Sequence, residues 1–296
     1  MKCLYVYNPT SGRQNNEKKR DYILSALSTK FDVVDCKPTQ KKGDAGIFAR
    51  EACGSYDVLV VSGGDGTIHE VINAMAKMQN RPTLGYIPTG TTNDLAHSLK
   101  IPKNIKKAVK IILNGKSVSH DIFRANDAYG IYVCCFGVFT KSSYKTSQKE
   151  KKKFGRLAYF KYGIGEMFKS KPVHLKLEYD GQTIEDDFAL CIIANSRYVA
   201  GYKINSEACW DDGTVDVLLI KNRQKRVKLL TFLRIFKMFL FGKNSLIKDK
   251  NATILQLDKF KMTLPKDEII NLDGENGFKG SFEFEVLKRH LEIFVK

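Results

Sequence analysis

The chain has 296 residues, 43% hydrophobic and 11% aromatic, and its 49 Lys and Arg against 32 Asp and Glu give a net charge of +17. This composition excludes a disordered chain, and the length allows one large or two ordinary domains with a sizeable core. The charge is local: residues 141–171 hold ten Lys/Arg and two Asp/Glu, residues 221–250 hold ten and one, and these excesses of +8 and +9 make up the whole imbalance. Patches of this kind predict an anionic partner surface, either nucleic acid or acidic lipid.

Residues 1–7 read as a strand running into a turn and not as a secretory leader. Seven cysteines, at 3, 36, 53, 134, 135, 191 and 209, show no C-x-x-C spacing, so a reducing cytoplasm is expected instead of a disulfide or zinc framework. The first ~120 residues alternate strand and helix patterns. Strands are expected at 4–7, 31–36, 57–61 and 83–87, and helices at 17–29, 44–53, 67–77, 91–99 and 105–113. That rhythm predicts a parallel sheet flanked by helices, with ligands beyond the carboxyl ends of its strands.

Three of those strand ends carry turn chemistry: Asn8-Pro9-Thr10-Ser11-Gly12, Gly63-Gly64-Asp65-Gly66-Thr67, and Pro88-Thr89-Gly90-Thr91-Thr92-Asn93-Asp94. The second follows Asp57-Val58-Leu59-Val60-Val61, an apolar run suited to a strand buried on both faces. Its glycines allow a tight turn and close approach, so the loop and helix N–H groups can seat a phosphate. A carboxylate there, Asp65, repels phosphates unless Mg²⁺ or a transferred proton sits between. A plain strand-to-helix turn would look similar.

From about residue 117 the period becomes two, with strands expected at 129–136, 173–179, 188–194, 215–220, 260–264 and 281–287. Asp180-Gly181 reads as a hairpin turn. This is a second, antiparallel domain, a sandwich or curved barrel. Within it, residues 226–241 are apolar almost all round, interrupted by Lys228, Arg234 and Lys237. The stretch is too short and charged to span a bilayer, which takes about 20 apolar residues. It suits a helix lying in the headgroup plane, or a core helix with exposed lysines. Residues 145–153 lack aromatics and read as a solvated loop, which with the missing recognition-helix pattern argues against nucleic acid.

In order, Asn8-Pro9-x-Ser11-Gly12, Gly63-Gly64-Asp65-Gly66-Thr67-x-x-Glu70, Pro88-x-Gly90-Thr91-x-Asn93-Asp94, Asp211-Asp212-Gly213 and Asp273-Gly274-Glu275 resemble the diacylglycerol kinase catalytic family over essentially the whole chain. The likeness is nearest to the Gram-positive bacterial members. The resemblance implies an N-terminal nucleotide-binding α/β domain at 1–122 and a C-terminal antiparallel β-sandwich at 123–296 that binds lipid. The last strand is expected to return to the first domain, and the active site to lie in the interdomain cleft.

It further implies an ATP- and Mg²⁺-dependent kinase for a lipid hydroxyl, most simply diacylglycerol to phosphatidic acid. The nucleotide set carried over is Asn8, Pro9, Thr10, Ser11, Gly12, Thr39, Gly63, Gly64, Asp65, Gly66, Thr67, Ile68, His69, Glu70 and Thr91. Asp65 and Asp94 would be the carboxylates near the phosphates, and Glu275 the proton acceptor. A structural Mg²⁺ would be held by Asp212 with the carbonyls of Cys209 and Thr214, and Asp121 would reach it through water. Phe136, Phe139, Phe160, Tyr162 and Phe168 are candidates for an acyl slot or for plain core.

His69 stands where relatives often carry Asn, residues 134–139 lack the Asn and Asp common there, and residues 205–208 lack a proline. These departures bear on the acceptor more than on the reaction. A peripheral, cytoplasmic enzyme docking through 141–171 and 221–250 is expected, with no nucleic acid as partner and homodimer formation left open. The alternatives are an NAD kinase, which shares the GGDGT loop, or a lipid kinase for another acceptor such as phosphatidylglycerol or a sphingoid base.

Overall fold

Alternating strand and helix patterns build the first of two units, and period-two patterns the second, in a computed structural model that describes residues 1–9, 16–138, 170–224 and 229–296. Unit 1 is Met1–Asp121 with Lys288–Lys296, and unit 2 is Ile122–Leu287.

Unit 1 runs β1 (Lys2–Tyr7), α1 (Asn16–Leu27), β2 (Val33–Pro38), α2 (Asp44–Ala52), β3 (Val58–Gly63), α3 (Asp65–Ala76), β4 (Thr83–Pro88), α4 (Asp94–Ser98) and α5 (Ile105–Asn114). The strands pair in parallel, β2 with β1, β1 with β3 and β3 with β4. Every residue of β3 is buried, as its unbroken valine-rich run requires of a strand covered on both faces. Tyr7 lies opposite both Pro38 and Ser62, and Gly63 opposite Pro88. This register brings the carboxyl ends of all four strands level. Gly85 in β4 lets α5 close on the sheet, since a Cβ there would lie 2.9 Å from the Ile112 side chain.

Unit 2 begins within β5 (Lys116–Ala125) and continues through β6 (Ala128–Gly130), β7 (Val133–Gly137), β8 (Val173–Tyr179), β9 (Gln182–Ala194), β10 (Val215–Lys221) and helix α6 (Leu229–Phe241). A short 3-10 turn at Lys243–Leu246 leads to β11 (Ala252–Leu257), β12 (Lys259–Thr263), β13 (Ile269–Leu272), β14 (Glu275–Lys279) and β15 (Phe282–Val295). The pairings within the unit are antiparallel, and they form a β-sandwich. Strand β9 makes the corner: Gln182 to Phe188 pair with β8, whereas Leu190 to Ala194 lie between β7 and β10. Inward-facing residues of these strands close one core, where Phe260 stacks on Phe284 at 4.6 Å and Phe284 on Phe123 at 5.0 Å.

The expected hairpin at Asp180-Gly181 is present, with positive φ at both residues (45° and 73°) and Tyr179 paired with Gln182. The strand expected at 129–136 is interrupted between β6 and β7, for a reason given below. Strand β15 is far longer than the expected 281–287. It enters unit 1 and pairs there in parallel with β4 through Ile293 and Leu84. Phe136 belongs to the core, 1% exposed and edge-on to Phe282, and so is no acyl-slot residue. Phe139, Phe160, Tyr162, Phe168 and most of 141–171 lie outside the described residues.

Candidate active site

In unit 1 the site is built at the level carboxyl ends of β1 to β4. Asn8 N donates to Ser62 O at 3.1 Å, Thr39 N to Tyr7 O at 2.9 Å, and Thr89 N to Gly63 O at 2.8 Å. These bonds tie the first residues after β1, β2 and β4 to a neighbouring strand. Pro9 is exposed beside Asn8, whereas Thr10, Ser11 and Gly12 lie outside the described residues.

Helix α3 begins at Asp65, with Gly64 as its N-cap, two residues before the expected start. Asp65 and Gly66 therefore form its first turn, where the helix dipole favours a carboxylate. Of the two expectations for the glycines, a tight turn and a close approach, the close approach is the one the structure displays. None of Gly63, Gly64 and Gly66 has a positive φ. Their value is proximity: a Cβ on Gly63 would lie 2.5 Å from Thr67 Cβ, and one on Gly90 would lie 2.5 Å from Gly64 Cα and 2.7 Å from Asn93 Oδ1. Two loops thus meet backbone to backbone, beside the amino end of a 12-residue helix.

Asp65 joins those loops. Its Oδ2 accepts from Asn93 N at 2.7 Å and its Oδ1 from Asp94 N at 2.8 Å, at the start of α4. Asn93 holds the loop from within. It adopts a left-handed backbone (φ 55°), is fully buried, and bonds both polar groups of Gly90, with Oδ1 taking Gly90 N and Nδ2 giving to Gly90 O. Tyr86 OH donates to Asn93 Oδ1 at 3.3 Å, and burial, then the charges of Asp65 and Asp94, push its pKa well above the ordinary value. Asp94 itself is 3% exposed.

Of the remaining nucleotide candidates, Thr67, His69 and Glu70 are half-buried on the first turns of α3. His69 Nε2 and Asn73 Nδ2 are 3.3 Å apart. Thr91 is exposed on the β4 loop, and its carbonyl accepts from Lys103 Nζ at 3.0 Å. Ile68 is a correction: its side chain is fully buried and its N–H donates to Gly64 O. Neither is available to a ligand, because the helix places this position on the core face. Asp121, also buried, accepts from Arg289 N at 2.6 Å. Arg289 is left-handed (φ 48°) within β15, so this carboxylate fixes the bend of the returning strand.

In unit 2, Glu275 is the first residue of β14, half-buried, directly after the two-residue turn Asp273-Gly274. Both turn residues have positive φ (52° and 85°), the geometry of a type I′ hairpin. Asp273 is 1% exposed, and its Oδ1 accepts from Tyr132 N and Val133 N while Oδ2 accepts from Ile131 N. Those amides are drawn onto a carboxylate, which is why the strand pattern breaks between β6 and β7. Tyr132 OH donates to Asp273 O at 2.6 Å, and Gly274 N to Asn271 Oδ1 at 2.9 Å. The turn carrying Glu275 is therefore clamped on every side.

The expected metal turn is also in unit 2. Asp212 Oδ1 accepts from Thr214 N and Oγ1 at 3.0 Å each, while its Oδ2 accepts from the Gln256 amide at 3.4 Å. Cys209 Sγ donates to Asp211 Oδ1, which raises the thiol pKa. Cys209, Asp212 and Thr214 line one small polar pocket with Glu207, Asp216, Lys243 and Gln256. Among the described residues no three His, Cys, Asp or Glu side chains converge as a ligand cluster. A single carboxylate with backbone carbonyls still suits a hard cation. Local turn signals announced Asp212 and Glu275. Nothing local announced Tyr86 or Tyr132, or that Asn93 and Asp273 would hold the backbone of neighbouring segments.

A parallel α/β unit with an open helix end at its strand termini, joined to an antiparallel sandwich, has the build of a phosphoryl-transfer enzyme. Residues 2–125 match the diacylglycerol kinase catalytic domain, and residues 135–295 match the YegS C-terminal NAD kinase beta sandwich-like domain. The chain is 33% identical over 291 residues to a diacylglycerol kinase of Bacillus subtilis (strain 168), covering 97% of this chain and 94% of that one. It is 32% identical to a diacylglycerol kinase of Staphylococcus carnosus (strain TM300), covering 98% and 93%. The crystal structure of a diacylglycerol kinase from Bacillus anthracis str. Sterne superposes with a TM-score of 0.82 at 26% identity, covering 100% of this chain and 97% of that one. The chain belongs to the diacylglycerol kinase family and is a lipid kinase.

Proposed function

We propose that the protein transfers the γ-phosphoryl group of ATP to the free hydroxyl of diacylglycerol, giving phosphatidic acid and ADP at an anionic membrane surface. The observation that carries this reading is the open amino end of α3 beside the side-chain-free contact of Gly64 with Gly90. Phosphates need backbone N–H groups and room, and this corner offers both. In the transfer, the hydroxyl oxygen bonds to the γ-phosphorus as the bond to the ADP oxygen breaks, and the hydroxyl proton passes to Glu275.

A base that accepts such a proton must be held in place with a lone pair free. Glu275 fits that role because it directly follows a turn that Asp273 and Asn271 hold in place. Asp65 and Asp94 are the unit 1 carboxylates suited to Mg²⁺, which would neutralise charge on the phosphates. Asp65 in addition orders the Asn93-Asp94 loop, so its loss removes both charge and geometry. Asp212 with the carbonyls of Cys209 and Thr214 would hold a second, structural Mg²⁺ that stiffens the turn after residue 208.

The test is transfer from labelled ATP by the purified protein, offered diacylglycerol, phosphatidylglycerol and sphingosine in mixed micelles and NAD in a separate tube. Labelled phosphatidic acid is expected, and it should vanish with chelator and return with Mg²⁺. Label in NADP would overturn the acceptor class, and label in another lipid the acceptor itself.

A further inference from the structure

Helix α6 is turned inside out relative to an ordinary surface helix. Thr231, Ile235 and Met238 are buried at 4%, 0% and 0%, and they fasten it to unit 2. Thr231 Oγ1 donates to Asn222 Oδ1 at 2.9 Å, and Phe239 packs edge-on to Tyr202 at 5.4 Å. The opposite face carries Leu229 (60% exposed), Leu230 (68%), Leu233 (48%), Phe236 (36%), Leu240 (52%) and Phe241 (71%). At about 100° per residue these fall within a sector of roughly 140°, opposite the buried stripe. Ile247, just past the following 3-10 turn, is another 66% exposed apolar side chain. An apolar face this continuous marks a docking surface, because water disfavours it unless something covers it.

The charges around it identify the occupant. Lys237 is exposed on the same face, and Lys248 and Lys250 are exposed after Ile247. All lie in the 221–250 stretch with its excess of +9. A second copy of this chain would bring an equal positive charge against it and be repelled, whereas acidic headgroups complement it. No helix among the described residues is long and apolar enough to cross a membrane, and the 13 residues of this one reach only about 20 Å. We infer that α6 is a membrane-insertion element, which sinks Leu230, Leu233, Leu240 and Phe241 among the lipids of an anionic bilayer while Lys237, Lys248 and Lys250 meet their headgroups. The inference rests on the lipid-kinase reading, in that it says how this enzyme reaches an acceptor held in a bilayer.

The experiment compares the full chain with Leu230→Ser/Phe241→Ser. Flotation is run with vesicles of phosphatidylcholine plus phosphatidylglycerol and with pure phosphatidylcholine, and activity on diacylglycerol is measured in mixed micelles. The native protein should float with the anionic vesicles only. The variant should lose about tenfold or more of that binding while keeping its micellar activity and melting temperature. In Leu240→Trp, with the emission of the native Trp210 subtracted by a parallel measurement on the unsubstituted protein, anionic vesicles should shift the added indole's emission to the blue, and lipids brominated along the chain should quench it.

Unchanged flotation of the double variant, or an indole untouched by brominated lipid, overturns the proposal. So does a native dimer that the double substitution splits, since a second copy then covers the face. Loss of micellar activity by the folded variant overturns it too, by moving these residues into the acceptor site. A native protein that floats but leaves diacylglycerol unphosphorylated in micelles would sink the acceptor reading and leave the docking face standing.

Discussion

At the scale of single residues, carboxylates at the two units' functional turns hold backbone amides, and Asp65 is assigned to chemistry as well. Asp273 is spent on structure, with three amides on its two oxygens, and Asp121 holds the amide of Arg289. Glu275 stands two residues beyond Asp273 at the edge of the same clamp. Replacing Glu275 with Gln keeps size and polarity but removes the proton-accepting oxygen charge. Turnover should fall about 10²- to 10⁴-fold, while the KM for ATP and the melting temperature stay near native. A folded variant with close to native kcat would show that another group takes the proton.

At the scale of elements, the phosphate corner depends on a contact between two turns that only glycine permits. Gly64 and Gly90 touch through their α-carbons, and a methyl group on Gly90 would press on Gly64 and on the Asn93 carbonyl that organises the loop. Neither neighbour can yield, because Gly64 caps α3 and Asn93 is buried with both polar atoms engaged. Gly90→Ala should therefore cost about 1–3 kcal/mol of stability by overpacking, and it should raise the KM for ATP. Thermal denaturation alongside ATP titration checks both, and a native melting temperature would mean that the loops part freely.

The motifs at this corner are legible in sequence because each is a short run of glycine, asparagine and aspartate. What the runs do is not. Asp65 and Asn93 are bonded across 28 positions, and that partnership, which no short run displays, sets the loops.

At the scale of the whole molecule, the same boundary between local and distant separates what sequence revealed from what it hid. That β1 to β4 pair in parallel followed from alternating patterns, and the hairpins at Asp180 and Asp273 from their D-G turns. The first half of β9 is polar from Gln182 to Asp187 except for Ile184, and it pairs with β8 beside it. Strand β15 carries Lys288-Arg289 in mid-course, which breaks the alternation where Arg289 bends and the chain passes into unit 1.

That returning segment couples unit 1 to pH. His290 Nε2 donates to Ala76 O at 2.9 Å, and Arg81 Nε donates to His290 O at 2.9 Å. Burial first, and then the Arg81 charge, lowers the His290 pKa, against the opposing bond to Ala76. A histidine with a lowered folded pKa takes up protons more readily when unfolded. Its contribution is therefore present above about pH 6.5 and is lost as pH falls toward the folded value. His174 has the opposite sign, raised by Asp187 and Glu185, but it is well exposed and solvent-screened. The melting temperature should consequently drop between neutral pH and about pH 5. His290→Gln, which can still donate to Ala76 but does not titrate, should show a shallower drop over the same window. Parallel melting curves for the two proteins at each pH decide it: equal slopes would mean that the acid sensitivity arises elsewhere, and a steeper slope in the variant would reverse the sign assigned to His290.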